Sequence, residues 1–332
     1  MRVAPNMSSL GDFEICNPAD PDLIQTYPSA AFNGENYIVA WSDEKIGGVN
    51  YYSVCVARVT PAGAVLDTGI CISSGSGSSE YRPKVAYDGS RSLVVWPKSS
   101  SVQGRFVNNA GQPEGNILTI AAGGAGGPSI AYDGVNYLVV YQAGTWPNYN
   151  IYGQLVSSQG NLVGSQITIA LDNNDTLRWP DIVFDCSNYL VVWISGPNSP
   201  GPNFIHGQGI ATDGSMIGNN FLISDNTSSM RWWPMLAASD SNYLVVWGQG
   251  SSDIWGNIDQ GLVSIEEDIP STKNEMPFYT STVLSGPLNL PAGIEYRVYD
   301  ISGRSIEANQ LKPGVYFIEI EGRIRLKVVK VR

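Results

Sequence analysis

Histidine is the residue that this sequence lacks most, because the 332-residue chain contains only His206. A serine-hydrolase triad requires a histidine base, and zinc sites are usually built from several histidine or cysteine ligands. Cysteine is also scarce, with four residues and no CxxC pair. The sequence therefore predicts no metal site, no cofactor and no histidine-based catalysis, and it predicts a structural role for His206.

Long apolar runs and positive charge are in short supply as well. No stretch reaches the length of about 18 apolar residues that a membrane-spanning helix requires. The first residues, MRVAPNMSSLGD, have no apolar segment of the signal-peptide kind. Charged residues make up 15% of the chain, and residues 1–269 carry 24 acidic and 10 basic residues, a net charge of −14. Such a surface repels phosphate backbones, so nucleic acid is not an expected partner.

Repetition, by contrast, is abundant: one phrase occurs five times, each time opening on a proline. The copies are PSAAFNGENYIVAW (28–41), PKVAYDGSRSLVVW (83–96), PSIAYDGVNYLVVY (128–141), PDIVFDCSNYLVVW (180–193) and PMLAASDSNYLVVW (234–247). Each copy predicts a short strand and then a tight turn, in which a glycine such as Gly134 tolerates a positive φ. The apolar, partly β-branched end of the phrase predicts a strand that is buried on both faces.

Two further strands follow in most units. The third strands read VQGRFV (102–107), IYGQLV (151–156), IHGQGI (205–210) and IWGNID (254–259), and the fourth strands read GNILTI (115–120), SQITIA (165–170) and NNFLIS (219–224). Four-stranded units that recur every 40–55 residues or so are typical of propeller blades. The sequence predicts an all-β fold with a five-bladed β-propeller over residues 1–263, and an array of β-sandwiches is the alternative.

The N-terminus is expected to close the ring. The fifth unit stops after IWGNIDQ without a clear fourth strand, and LGDFEIC (10–16) matches IGNNFLIS (217–224) of the fourth unit. Residues 10–16 are therefore predicted to complete the fifth blade. A second match, between RVAP (2–5) and RVTP (58–61), leaves open that an upstream part with a signal peptide is missing.

One disulfide is predicted within the first unit. Cys55 and Cys71 fall on its third and fourth strands, on either side of a hairpin turn near Gly63, so the two side chains should face each other. Cys16 and Cys186 are predicted to be free thiols, and Cys186 takes the place of the turn glycine.

Aromatic and arginine side chains cluster just before the repeated prolines. They are Tyr27, Tyr81, Arg82, Arg178, Trp179, Arg231, Trp232 and Trp233. The loops that enter the first strands all emerge on one face of a propeller, and rings beside planar donors suit flat ligands such as sugars. Trp232 and Trp233 are adjacent, so an extended backbone would point them in opposite directions. The alternative is that these rings only fill gaps between blades.

Catalysis by carboxylates is the competing hypothesis. Five-bladed propellers include glycoside hydrolases, which use acidic residues around the channel mouth. The positions just after the prolines, which should lie there, are Ser29, Lys84, Ser129, Asp181 and Met235. Only Asp181 is acidic, although loop pairs such as Asp43 with Glu44 or Asp172 with Asp175 remain candidates. A hydrolase would place two carboxylates about 5–10 Å apart at the mouth.

The end of the chain has a different character. Residues 264–286 are predicted to be a linker, and residues 287–332 a small β-sandwich. The motifs VYDISGR (298–304) and LKPGVYFIEI (311–320), with the basic closing strand to Arg332, closely resemble the C-terminal sorting domain of the type IX secretion system of Gram-negative bacteria. The resemblance, over about residues 270–332, implies contact with that machinery and a secreted or outer-membrane-surface protein. A generic Ig-like stabilising domain is the alternative.

Together these features favour a monomeric, secreted binding protein that recognises a glycan or another extracellular polymer, rather than an enzyme. A glycoside hydrolase or lyase is the first alternative. A structural component of a surface layer or an adhesion system is the second.

Overall fold

The structure is a computed structural model, and it divides the chain into two compact units, residues 1–264 and residues 265–332. Each unit is considered by itself. The residues that the structure describes are 12–16, 24–44, 52–73, 80–172, 174–197, 201–224, 230–238, 242–250, 253–259, 282–284, 296–300, 304–307, 311–312, 314–320 and 323–330. Within them, no helix is long and apolar enough to cross a membrane.

The first unit consists of five antiparallel sheets, each formed by strands that follow one another along the chain. Blade 1 contains β1 (Gln25–Phe32), β2 (Tyr37–Asp43), β3 (Ser53–Val59) and β4 (Ile70–Cys71). Blade 2 contains β5 (Lys84–Tyr87), β6 (Arg91–Lys98), β7 (Ser101–Asn108) and β8 (Pro113–Ala121). Blade 3 contains β9 (Gly126–Tyr132), β10 (Asn136–Thr145), β11 (Asn148–Ser157) and β12 (Leu162–Ala170). Blade 4 contains β13 (Thr176–Phe184), β14 (Tyr189–Gly196), β15 (Phe204–Ile210) and β16 (Met216–Leu222), and blade 5 contains β17 (Arg231–Ala238), β18 (Tyr243–Gln249) and β19 (Asp253–Asp259).

The first strands of consecutive blades contact one another, from β1 to β5, β9, β13 and β17. Residues of all five first strands, or of the loops entering them, line one central cavity. The predicted five-bladed β-propeller is thereby confirmed.

The apolar second strands hold neighbouring blades together, as the sequence predicted. In β14, Tyr189, Val191 and Trp193 pack against blade 3. The alternate residues of the same strand, including Leu190 and Val192, pack against blade 5. Fully burying one such side chain contributes about 1.5–3 kcal/mol, so a strand buried on both faces stabilises two interfaces at once.

The repeated turn also links blades. The Asp133 carboxylate accepts hydrogen bonds from the backbone N–H groups of Val135 and Asn136, both at 2.7 Å, which fixes the turn, and Gly134 adopts a φ of 99°. The tyrosine of the following phrase then reaches back: the Tyr189 hydroxyl donates to the Asn136 carbonyl oxygen of blade 3, at 3.2 Å. Burial, with the charge of Asp133 second, raises the pKa of Tyr189.

The tyrosine hydroxyl also donates to the turn of the preceding blade at two other joints, once to a carbonyl oxygen and once to a carboxylate. The Tyr137 hydroxyl donates to the Arg91 carbonyl oxygen at 3.3 Å, and the Tyr243 hydroxyl donates to the Asp185 carboxylate at 2.5 Å. Each tyrosine lies almost completely buried between its own blade and the preceding one. The aspartate–tyrosine phrase is therefore both a turn former and a link between blades.

The region around blades 5 and 1 differs from the other joints. Tyr37, which holds the linking-tyrosine position in blade 1, is 42% exposed, and Leu244 of β18 is 41% exposed where the equivalent Leu190 is 2% exposed. Ile15 and Cys16 pack on the face of blade 1 that does not contact blade 2, against Trp41 among others.

Residues 12–16 are not in a strand, and β19 pairs only with β18 among the residues that the structure describes. The rest of the predicted closing strand, residues 10 and 11, lies outside them. Closure of the fifth blade by residues 10–16 therefore stays a prediction, although Ile15 meets blade 1 as the matching Ile223 of blade 4 meets blade 5.

The cysteines are arranged as follows. Cys55 of β3 lies opposite Cys71 of β4, and the two form a disulfide. Neither Cys16 nor Cys186 forms a disulfide. Cys186 adopts a φ of 76°, the left-handed conformation that glycine takes at this turn position in other blades.

The second unit is described in part. The strands β20 (Thr282–Leu284), β21 (Tyr296–Asp300), β22 (Ser305–Ile306), β23 (Gly314–Ile320) and β24 (Arg323–Lys330) form one sheet in the order β20-β24-β23-β21-β22. β20 falls in the predicted linker. A second sheet is not among the described residues, so the β-sandwich stays a prediction. The buried Tyr316 hydroxyl donates to the Lys312 carbonyl oxygen at 2.9 Å, which holds Lys312 next to β23.

Candidate functional site

The central cavity is the candidate site, with a volume of ≈ 510 Å³. All five repeated prolines line it, each with the residue that precedes it: Tyr27, Arg82, Gly127, Trp179 and Trp233. These five residues, called here the mouth ring, come from equivalent positions of the five blades. The size falls in the usual range of about 300–1,000 Å³ for small-molecule sites.

The mouth ring has an unusual backbone. The φ angles of its members are 55° for Tyr27, 50° for Arg82, 57° for Gly127, 52° for Trp179 and 45° for Trp233. Only glycine adopts this left-handed conformation without a steric cost, and a residue before proline normally stays extended. Register shifts at the same points in β1, β9, β13 and β17 identify the conformation as a β-bulge repeated from blade to blade.

Side chains of the preceding blade fix this bulge in two places. The Arg82 backbone N–H donates to the Ser42 hydroxyl at 3.0 Å, and the Trp179 backbone N–H donates to the Gln142 side-chain oxygen at 2.9 Å. Ser42 and Gln142 occupy the same position, directly after the last aromatic residue of the repeated phrase. The bulge is thus supported by the neighbouring blade rather than by its own sheet.

The aromatic side chains form two groups. On blades 1 and 2, the Arg82 guanidinium carbon lies 4.6 Å from the Tyr27 ring centroid and 5.9 Å from that of Tyr81. On blades 4 and 5, the Trp179 ring lies 6.1 Å from Trp232 and 5.8 Å from Trp233.

The Arg178 guanidinium carbon lies 5.3 Å from the Trp179 ring. Between the two groups, blade 3 has Gly126 and Gly127 at the equivalent positions, so it adds no aromatic or arginine side chain there. Seven of the eight predicted ligand-binding residues thus lie in or beside the mouth ring.

Trp232 and Trp233 depart from the expected alternation. Both rings contact Trp179, because the left-handed φ of Trp233 and the register shift after Trp232 change the phase of the strand. Trp233 is 58% exposed and lines the cavity.

Arg231 is the predicted binding residue that the structure places elsewhere. It is fully buried, and its guanidinium donates to the Asn203 carbonyl oxygen at 2.7 Å. The third residue before the proline is also buried in other blades, as Glu80, Ala125 and Leu177 are. Arg231 therefore has a structural position, which a register comparison of the five units would have indicated.

Asp181, the weak catalytic candidate, lies in the cavity but is tied to three other blades. One carboxylate oxygen accepts from the Ser129 hydroxyl at 2.7 Å and from the Lys84 ammonium at 3.3 Å. The other oxygen accepts from the Leu236 backbone N–H at 2.9 Å. A carboxylate with both oxygens engaged in this way links blades 2, 3 and 5 to blade 4.

The other candidate carboxylates have structural partners away from the described cavity lining. Asp43 accepts from the Trp41 indole N–H at 2.9 Å, and Glu44 accepts from the Ile24 backbone N–H at 2.9 Å. Asp172 accepts from the backbone N–H of Asp175 at 3.1 Å in a turn. Among the described residues that line the cavity, Asp181 is the only carboxylate.

One aromatic pair on this face escaped sequence reasoning. Gly126 at the start of β9 pairs with Gln142, so the hairpin between β10 and β11 projects from the same end of blade 3 as the mouth ring. Its exposed Trp146 contacts Tyr149, with centroids 6.0 Å apart. The Trp-Pro pair at 146–147 was a signal, but it lies outside the repeated phrase.

The single histidine has the structural place that the sequence predicted. His206 of β15 lies opposite Trp193, and the two rings stack with centroids 6.2 Å apart. Burial lowers the pKa of His206, and the charges of Asp175 and Asp172 partly oppose this effect. In the part of the chain that the structure describes, no group of three or more His, Cys, Asp or Glu residues could hold a metal ion.

No protein-family model matches this chain, and no curated protein sequence matches it. The chain is similar to a GH43 endo-arabinanase from Bacillus licheniformis, with a TM-score of 0.42 and 12% identity over 70% of this chain and 92% of that chain. It is also similar to an endo-arabinase from Bacteroides thetaiotaomicron, with a TM-score of 0.43 and 12% identity over 72% and 94% of the two chains. An exo-beta-1,3-galactanase from Phanerochaete chrysosporium, crystallised with beta-1,3-galactotriose, gives a TM-score of 0.48 and 14% identity over 68% and 56%. Similarity at this level says nothing about which molecule this chain binds.

Proposed function

We propose that this protein binds a glycan in the central cavity, with the mouth ring as the recognition element. The observation that supports the proposal is the left-handed conformation of four non-glycine residues, Tyr27, Arg82, Trp179 and Trp233. Each costs about 1–3 kcal/mol, and residues in such conformations cluster at ligand-binding sites. Here the left-handed residue before the proline places an aromatic or arginine side chain in one cavity in four of the five blades.

The chemistry of the mouth ring suits a sugar. An aromatic ring covers the apolar face of a pyranose, and planar N–H donors reach its hydroxyl edge. Trp233 is exposed, and its ring contacts those of Trp179 and Trp232. Because the rings already contact one another, little side-chain freedom is lost on binding.

The test compares two exposed tryptophans of the same blade. Binding to a panel of polysaccharides is measured for the wild type, for Trp233→Ala and for the control Trp255→Ala, whose side chain lies on β19 outside the cavity lining. Trp233→Ala is expected to weaken binding by about 2 kcal/mol, roughly thirtyfold, because a stacking ring is lost. Trp255→Ala should keep the wild-type affinity. No binding to any glycan, or equal effects of the two changes, would contradict the proposal.

Hydrolysis of the bound glycan is the second candidate function, and the observation that favours it is the position of Asp181 in the cavity. A hydrolase of the two-carboxylate kind requires a second acid about 5–10 Å away. Release of reducing ends from a polysaccharide that the protein binds, and its loss in a folded Asp181→Asn variant, would establish this activity. Binding without release supports a binding protein.

We further propose that residues 287–332 direct export through the type IX secretion system, so that the protein is secreted or held on the outer membrane. The similarity of VYDISGR and LKPGVYFIEI to that sorting domain supports this, and β23 carries most of the second motif. The full chain, given a signal peptide, should reach the medium or the surface of a bacterium that has this system. A chain ending at residue 286 should stay in the periplasm, and equal export of both would refute the proposal.

A further inference from the structure

The basic side chains of the first unit differ in whether they have partners. Four are paired with carboxylates: Arg58 with Asp67 at 2.8 Å, Lys84 with Asp181 at 3.3 Å, Arg91 with Glu114 at 3.1 Å and Lys98 with Glu80 at 2.7 Å. Arg105 and Arg231 donate to backbone carbonyl oxygens. Arg82 and Arg178 are the two described cations of this unit whose side chains have neither kind of partner, and the Nε atom of each is buried without a hydrogen bond.

Both of these arginines lie at the mouth ring. Arg82 is a member of it and lies over Tyr27, whereas Arg178 lies beside Trp179. A guanidinium that packs on aromatic rings keeps its edge N–H groups available to a ligand. Among the described residues, one cation without a carboxylate partner therefore lines the central cavity, and a second lies beside Trp179, which also lines it.

The space over Gly126 is open, whereas the Gln142 side chain lies beside Gly127. Blades 2 and 4 flank blade 3, which presents Gly126 and Gly127 at the mouth. A Cβ added at Gly126 would meet no atom within 4 Å. A substituent on a ligand can therefore reach blade 3 with an arginine on either side.

The electrostatic setting makes this arrangement costly without a ligand. Burial lowers the pKa of Arg178, and no carboxylate offsets the effect. Residues 1–269 carry a net charge of −14, so carboxylates are plentiful elsewhere, yet none pairs with these two arginines in the described part of the unit. A negative group on the ligand would supply the missing charge, because a hydrogen bond between ionised partners is about twice as strong as a neutral one.

We propose that the glycan carries an acidic group, a carboxylate or a sulfate ester, which binds between Arg82 and Arg178 over Gly126 and Gly127. This inference rests on the proposed function. Guanidinium donors match the paired oxygens of either acid. The negative charge of the surrounding unit repels densely charged polymers. The negative charge of the unit weakens binding as charges are added, so short oligosaccharides that carry few acidic groups are the appropriate probes.

The experiment uses matched pairs of short oligosaccharides that differ only in charge. Oligogalacturonides are compared with their methyl esters, and sulfated galactan oligosaccharides with their desulfated forms, by calorimetry on the full chain at physiological salt. The variants are Arg82→Gln and Arg178→Gln, with Arg105→Gln as the control, because Arg105 donates to the carbonyl oxygens of Ile72 and Gly115 away from the cavity. Melting temperatures establish that each variant is folded.

The charged member of at least one pair should bind about tenfold or more tightly than its neutral partner. Arg82→Gln and Arg178→Gln should each weaken binding of the charged sugar roughly tenfold more than binding of its neutral partner, whereas Arg105→Gln should change neither. The pair that responds identifies the acid as carboxylate or sulfate. Equal binding of charged and neutral sugars would overturn this inference while glycan binding stands, and no binding by any sugar of a wider panel would overturn both.

Discussion

All residues of the mouth ring share one backbone feature, a positive φ angle. Four residues that directly precede a proline have a left-handed backbone conformation, which glycine would adopt without strain. Blade 3 has that glycine, Gly127, at the same position, which therefore brings no side chain to the cavity. Under the proposed function, stability and ligand recognition are in conflict at this position, and four of the five blades keep the side chain.

Two substitutions of one residue measure that conflict. Trp233→Gly should melt at the wild-type temperature or above, because glycine accepts a φ of 45° and little packing is lost from a side chain that is 58% exposed. Trp233→Ala should be less stable than Trp233→Gly by about 1 kcal/mol, since alanine keeps the steric cost. Thermal unfolding of both variants decides the point, and a less stable glycine variant would argue against strain at the mouth ring.

The position of the binding residues could be predicted from the sequence, whereas their orientation could not. The aromatic and arginine residues before each proline stand out because the phrase repeats. A residue before proline is expected to be extended, so the phase change at Trp233 was not foreseeable. The burial of Arg231 depends on the same register. The partners of Asp181 come from distant parts of the chain, and no local pattern reports them.

His206 should make stability depend on pH in a limited window. Because burial lowers its pKa in the folded state, the unfolded state binds the proton first, and stability falls as the pH drops below about 6.5 toward the folded-state pKa. His206→Tyr, which copies the stacked Tyr141–Tyr152 pair of blade 3, should remove this part of the pH dependence. Denaturant unfolding of both proteins between pH 7 and pH 5 checks it, and parallel profiles would contradict the assignment.

At the scale of the strand and its turn, the repeated phrase performs two tasks. Its aspartate or asparagine fixes the turn through backbone N–H groups, and its tyrosine donates to the preceding blade. The continuous apolar run at the end of the phrase revealed the buried strand. It could not reveal the hydrogen bond between blades, because that bond joins residues about 50 positions apart.

The value of that bond can be measured against an internal control. Tyr189→Phe removes a buried hydroxyl that donates to the Asn136 carbonyl oxygen, so the free energy of unfolding should fall by about 1 kcal/mol. Tyr37→Phe makes the same change where the side chain is 42% exposed, and it should change stability by less than about half as much. Equal losses in chemical denaturation would mean that the hydroxyl is not what distinguishes the two joints.

For the whole molecule, length, turn spacing and the repeated phrase sufficed to predict the propeller and its five blades. A propeller can be predicted from its sequence because each blade needs the same apolar strand to pack against its neighbour, so the apolar pattern repeats. The second unit has no repeat, so its strands were predicted from alternation alone, and β20 was missed inside the predicted linker.

The N-terminal segment is expected to matter to the ring as a whole. Ile15 and Cys16 cover Trp41 and its neighbours on the face of blade 1 that does not contact blade 2. Deleting residues 1–17 should expose that face and cause insolubility or a loss of cooperative unfolding, because uncovered strands and apolar faces promote aggregation. Ile15→Asn tests the same contact with the chain length unchanged and should lower the melting temperature. A soluble deletion variant of unchanged stability would show that the ring does not need this segment.

The exposure of Leu244 and Tyr37 predicts which blade interface of the propeller opens first. Local opening of a protein begins where its contacts are least buried. The interface between blades 5 and 1 is therefore expected to open before the other blade interfaces. Amide protons of β18, β19 and β2 should therefore exchange with solvent sooner than those of β10 and β14. Since the first strands on either side of that interface also border the cavity, each such excursion would briefly widen the entrance on the side of Trp233 and Tyr27. Under the proposed function, a long glycan would then have a sideways route into the site that requires no free chain end.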